Sequence, residues 1–177
     1  MRLRGETVAN VAVVVMSIAV TFTLVDTFVV QRHFQRAATT PEYRVGENVA
    51  GAFKDAGLAE SKVTAVLIVN SQCHFCQDSA PFYRRLAQLK NLGSAGMFRT
   101  VVISSDGVQA GRRYASAYQI AVDDVIRLPV PALPRLSGTP TLLILDRAGR
   151  ILGRWTGKLG AAEQEAVVTT VMRGLHG

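Results

Sequence analysis

The chain has 177 residues, about half of them apolar and 19% charged, with a formal net charge of +7. That length favours one domain with its own packed core, and two cysteines in the whole chain are too few for a disulfide framework. The basic residues are scattered rather than clustered with aromatics, which reads as a solvated basic face and not as a nucleic-acid site.

In chain order, the first feature is an apolar run. Thr7 to Val25 carries no charged side chain, and the run continues past Asp26 to Val30. A helix of ~20 apolar residues spans a bilayer, so residues 7–30 are expected to form a transmembrane anchor. A cleaved signal peptide would have an apolar region of only ~7 to 15 residues closing on a small-residue site. The available Ala37-Ala38-Thr39 lies beyond Arg32, His33 and Arg36, which favours an uncleaved anchor. A buried core helix is the third reading, and the length of the run argues against it. Basic residues flank both ends, so the orientation expected, N-terminus in the cytoplasm, rests on the short leading tail and the long following domain. Asp26 sits near enough to the end of the run to reach the interface.

Residues 31–43 are polar and mixed, broken by Thr39-Thr40-Pro41, and read as a tether. Residues 44–177 then alternate in pattern: strand 63–69, helix 74–90, strand 98–104, helix 108–118, strand 141–146, strand 150–155 and helix 161–173. Such alternation predicts an α/β domain with a central mixed sheet flanked by helices. The first strands, separated by helices, should run parallel, whereas Asp146-Arg147-Ala148-Gly149 supplies the turn of an antiparallel hairpin. Residues 119–138, holding Pro129, Pro131 and Pro134, read as loop with a short strand around Val125–Leu128.

The two cysteines stand as Cys73-His74-Phe75-Cys76 between the buried-strand run Val63–Val69 and the start of a helix. There the Cys73 sulfur would lie near unpaired N–H groups and the positive end of the helix dipole, which favour the attacking thiolate. A structural disulfide across so few residues would contribute little through chain entropy, so redox exchange is the better reading. A copper or zinc carrier is the rival, with few ligands to draw on: the other candidates are His33, His74 and His176, whereas a closed zinc site needs four ligands. Gln77 after Cys76 excludes the haem-attachment motif. A binding module without catalysis is the remaining alternative.

Four features together resemble the thioredoxin fold: the dithiol at a strand-to-helix junction, Pro81 inside the helix, Gly138-Thr139-Pro140-Thr141 before an apolar strand, and the closing hairpin plus helix. The additional elements between Cys73 and Pro140, the leading Val45-Gly46-Glu47 and the Asp-x-x-Gly after the Gly-Thr-Pro-Thr strand are similar to the TlpA/ResA-like redoxin branch. That resemblance implies a membrane-anchored thiol-disulfide oxidoreductase of the bacterial envelope, its domain facing the periplasm or cell exterior. Cys73 would attack, Cys76 resolve and His74 tune the thiolate. Phe75, Thr139 and a cis Pro140 would meet the substrate. The implied partners are protein disulfides, a membrane electron donor and the lipid bilayer through residues 7–30. No cofactor or metal is implied beyond the redox-active Cys73–Cys76 pair, and reduction of envelope proteins is the implied direction. Two positions depart from the family pattern: Gln72 replaces the usual Trp before the first cysteine, and Leu67 stands where thioredoxins place a buried Asp that assists proton transfer.

Overall fold

The computed structural model describes residues 42–92, 97–127, 129, 132 and 135–177. The expected span 7–30 and all but the last two residues of the expected tether lie outside them. Among the described residues no helix is long and apolar enough to cross a membrane.

Strand β1, Val63–Val69, is a β-branched and aliphatic run with all seven residues buried, the pattern of a strand covered on both faces. Helix α1 follows at His74–Ala87, then β2 at Phe98–Ser104, α2 at Val108–Ala117 and β3 at Asp124–Arg127. Strands β4, Thr141–Asp146, and β5, Ile151–Thr156, form the hairpin, and α3, Ala161–His176, closes the chain. The five strands are ordered β3-β2-β1-β4-β5. β1 pairs in parallel with β2, and β2 with β3, while β4 runs antiparallel to both β1 and β5. Val66 thus faces Val101 on one side and Leu143 on the other.

Two parallel crossovers, β1-α1-β2 and β2-α2-β3, step in the same direction. The right-handed rule then puts both helices on one face of the sheet. The packing agrees, because Val63, Ala65, Leu67 and Val69 share one core cluster with Cys76, Tyr83 and Leu86 of α1, Tyr114 of α2, and Val167 and Val171 of α3. The alternate residues Val66 and Ile68 point to the other face, where Tyr43, Val49, Phe53 and Leu58 cover them. Tyr43, the last residue of the expected tether, is therefore core, and two 3-10 turns at Lys54–Ala56 and Leu58–Glu60 help to close this layer. The periodicity of the sequence carried no sign of those turns.

Element ends differ by a few residues from the sequence pattern. The first helix stops being α-helical at Ala87 and tightens into a 3-10 stretch, Gln88–Leu92, as helix ends often do. The last helix runs on to His176. The short strand foreseen near Val125 is the parallel edge β3, seated beside Val101–Ser104. Gly111 lets α2 lie close to this edge, since a Cβ there would stand 2.8 Å from Val125 Cγ1 and 3.0 Å from Ser104 Cβ.

Candidate active site

Asn70, Ser71 and Gln72 carry the chain from the end of β1 to the start of α1. Asn70 Oδ1 accepts the Gln72 N–H at 2.9 Å, a local turn that brings Cys73 to the N-cap position of the helix. The Cys73 carbonyl then accepts the first helical N–H groups, from Cys76 at 3.0 Å and Gln77 at 3.2 Å. One turn of helix sets the two sulfurs on the same side of its first turn, yet in different surroundings. Cys73 is half-buried, whereas Cys76 is wholly buried; both are free thiols.

The Cys73 thiol donates to the main-chain oxygen of Thr139 at 3.3 Å. Partial burial pushes its pKa up, but the Cys76 thiol, the Thr139 side chain and the N–H groups of Cys76 and Phe75 outweigh burial and hold it below the ordinary thiol value. Cys76 goes the other way. Burial pushes it up to about 12, opposed in part by the Asn70 N–H that points at its sulfur from 3.5 Å. One thiol that ionises early beside a second that holds its proton is an arrangement disulfide exchange can use.

Thr139 is joined to Pro140 by a cis peptide bond, as the family resemblance implied. The approach to this bond is braced. Arg135 forks onto Glu47 and lies 4.2 Å above the Tyr43 ring, and Arg154 donates to Ser137 Oγ at 2.9 Å. Glu47 and Tyr43 thereby help to hold the loop that meets the dithiol. Pro81 lies inside α1, leaving the Gln77 carbonyl without its helical N–H partner.

Phe75 is 56% exposed, an aromatic face on open surface beside Cys73. The His74 side chain is 78% exposed, and its Nε2 stands 3.5 Å from Asp78 Oδ2, which also accepts from Lys158 Nζ at 2.9 Å. The Lys158 hydrogen bond holds the Asp78 carboxyl below its usual range. Leu67 is fully buried in the cluster that contains Cys76, so the place of the thioredoxin carboxylate is filled with aliphatic surface. Among the described residues, no three His, Cys, Asp or Glu side chains stand together as a metal-ligand group.

Several residues that build the site escaped the reading of the sequence. Asn70 points its N–H at Cys76, and the Tyr114 hydroxyl donates to the Cys76 carbonyl from α2, 38 positions along the chain. The Asp106 carboxylate accepts from Ser71, 35 positions away. No local spacing encodes the Tyr114 and Asp106 pairs, because each joins segments whose only relation is the packing of β2 and α2 beside β1; the Asn70–Cys76 contact spans six residues and is made by the strand-to-helix turn itself.

No family model and no curated protein matches this chain. Solved structures do. A proposed thiol:disulfide interchange protein DsbE from Chlorobium tepidum superposes with a TM-score of 0.51 at 24% identity, over 66% of this chain and 82% of that one. A proposed thioredoxin from Neisseria meningitidis gives 0.52 at 18% identity, over 66% and 78%. A thiol-disulfide isomerase from Corynebacterium glutamicum gives 0.51 at 18% identity, over 75% and 96%. The shared architecture is the thioredoxin-like fold, with its mixed sheet and flanking helices.

Proposed function

We propose that this chain is a thiol-disulfide oxidoreductase that works through Cys73 and Cys76. The observation that carries the reading is the asymmetry of the pair: an accessible Cys73 whose thiol sits below its ordinary pKa against Thr139, and a buried Cys76 pushed up to about 12. The fold shared with proteins described as thiol:disulfide interchange proteins and isomerases supports the same chemistry.

In the proposed cycle the Cys73 thiolate attacks one sulfur of a substrate disulfide. A Cys73–substrate disulfide forms and the other substrate sulfur leaves as thiolate. Cys76 then gives up its proton and attacks Cys73 sulfur, releasing the second substrate thiolate and leaving a Cys73–Cys76 disulfide. Two electrons pass to the substrate, and a membrane electron donor would return the pair to its dithiol. Phe75 and the main chain at Thr139 and Pro140 would receive an extended substrate segment. A protonated His74 adds positive potential near Cys73, screened by its exposure.

The finer parts of the reading follow from the sequence: residues 7–30 as a bilayer anchor, the folded domain outside the cytoplasm, and envelope proteins as the substrates reduced. Insulin-disulfide reduction by the wild type, lost in Cys73→Ser, tests the activity. Cys76→Ser expressed in its own host should accumulate a covalent complex through Cys73, and no complex would count against catalysis. A measured reduction potential near that of DsbA, about −120 mV, instead of near thioredoxin, about −270 mV, would reverse the direction.

A further inference from the structure

With Leu67 buried where thioredoxins keep a carboxylate, Cys76 must still lose its proton to resolve the mixed disulfide. The Asn70 N–H, 3.5 Å from the Cys76 sulfur, is the backbone donor placed to favour that thiolate. Its aim depends on the Asn70–Gln72 loop, and that loop is clamped from outside. The Asp106 carboxylate accepts the Ser71 N–H at 3.2 Å and, through the same residue, the Ser71 hydroxyl; its other oxygen accepts the Ser104 hydroxyl. Beside it, Asn70 Nδ2 donates to Ser105 Oγ at 3.0 Å, and the Ser105 N–H donates to the Val69 carbonyl at 2.9 Å. The segment Ser104–Asp106 thus grips the stretch Val69–Ser71 from its neighbour in the sheet.

Resting on the oxidoreductase reading, we propose that Asp106 is a positioning residue for the resolving thiol, holding the Asn70–Gln72 loop so that the Asn70 N–H stays on Cys76 sulfur. Asp106 is suited to this as an anion. Partial burial pushes its carboxyl up, but the hydroxyls of Ser104 and Ser71 outweigh that and keep it below the ordinary range. An ionised carboxylate accepting three donors is a strong clamp for a loop otherwise open to solvent. Gly107, with φ of +102°, allows the chain to turn into α2 directly after it.

The test follows the two thiolates released when the reduced full chain meets one equivalent of dithiobisnitrobenzoate. Cys73 attack forms a mixed disulfide and frees the first nitrobenzoate thiolate; Cys76 attack on Cys73 frees the second and closes the internal disulfide. Asp106→Ala should lower the ratio of second-phase to first-phase rate by roughly tenfold, the effect expected of losing one charge-assisted hydrogen bond. Asp106→Asn, which keeps one acceptor oxygen, should recover part of the ratio. If Asp106→Ala does not fold, Asp106→Asn carries the test alone, with a drop of about threefold expected. An unchanged ratio in a folded variant, even with a lowered melting point, overturns the proposal. Absence of both phases in the wild type would instead overturn the oxidoreductase reading on which it rests.

Discussion

The thiol of Cys73 reaches across 66 positions of sequence to the carbonyl oxygen of Thr139, 3.3 Å away, and so the first turn of α1 and the start of β4 make one site. That contact leaves Cys73 open to solvent on its outer side while Cys76 faces the core.

Alkylation should separate the two sulfurs. At neutral pH iodoacetamide is expected to label Cys73 and to spare Cys76, as read by peptide mass, with the Cys73 rate rising at a midpoint below the ordinary thiol value. Because His74 is largely exposed and stands beside Asp78, His74→Ala should leave that midpoint nearly unchanged. Equal labelling of the two cysteines in the folded protein would contradict the assigned roles.

Stability against pH follows with a definite sign. The Cys76 pKa is raised from about 9 in the unfolded chain to about 12 in the fold, so its stabilising share is full below pH 9 and is lost as pH climbs from there towards 12. The reduced wild type should therefore lose stability more steeply in that window than Cys76→Ser does. Denaturant unfolding of both proteins across that range reads the difference, and parallel curves would count against the buried thiol.

Phe75 leaves 56% of its surface exposed, and in the proposed cycle that ring docks the substrate. Burying part of that ring in a complex is worth on the order of 1 kcal/mol, roughly a fivefold change in affinity. Phe75→Ser should accordingly raise KM for a protein disulfide several-fold, with kcat and the rate towards a small aromatic disulfide little changed. A fall in kcat with KM constant would place the ring in packing instead of docking.

Leu67 carries the core beneath the dithiol. Leu67→Ala should cost about 2–5 kcal/mol through lost burial and the cavity left behind. Leu67→Asp should cost more, since it would set a carboxyl among aliphatic side chains with no partner provided. Thermal unfolding ranks the two, and an Asp variant as stable as wild type would mean that the site readily accepts the thioredoxin carboxylate.

Tyr114 ties α2 to the active-site turn through one hydroxyl on the Cys76 carbonyl. Tyr114→Phe keeps the ring and removes that donor, so about 1 kcal/mol of stability should go with little change in packing. Urea unfolding measures it, and an unchanged midpoint would mean that the bond contributes nothing net.

Much of this architecture was legible in the chain itself. The apolar run Val63–Val69, the Cys73-x-x-Cys76 after it and the helical pattern beyond are local facts, because side-chain periodicity reports which faces of one element will be buried. The turn at Asp146–Gly149 likewise announced the hairpin of β4 and β5. Tertiary structure alone decided that β4 lies antiparallel beside β1, which sets Thr139 against Cys73, and that Asp106 comes to rest on Ser71. It also decided which thiol is wholly buried and which still reaches solvent. Periodicity assigns a residue to a face but does not say which other face will meet it. Pairings between distant segments arise only when burial of all the apolar faces at once leaves a single way to stack helices and strands.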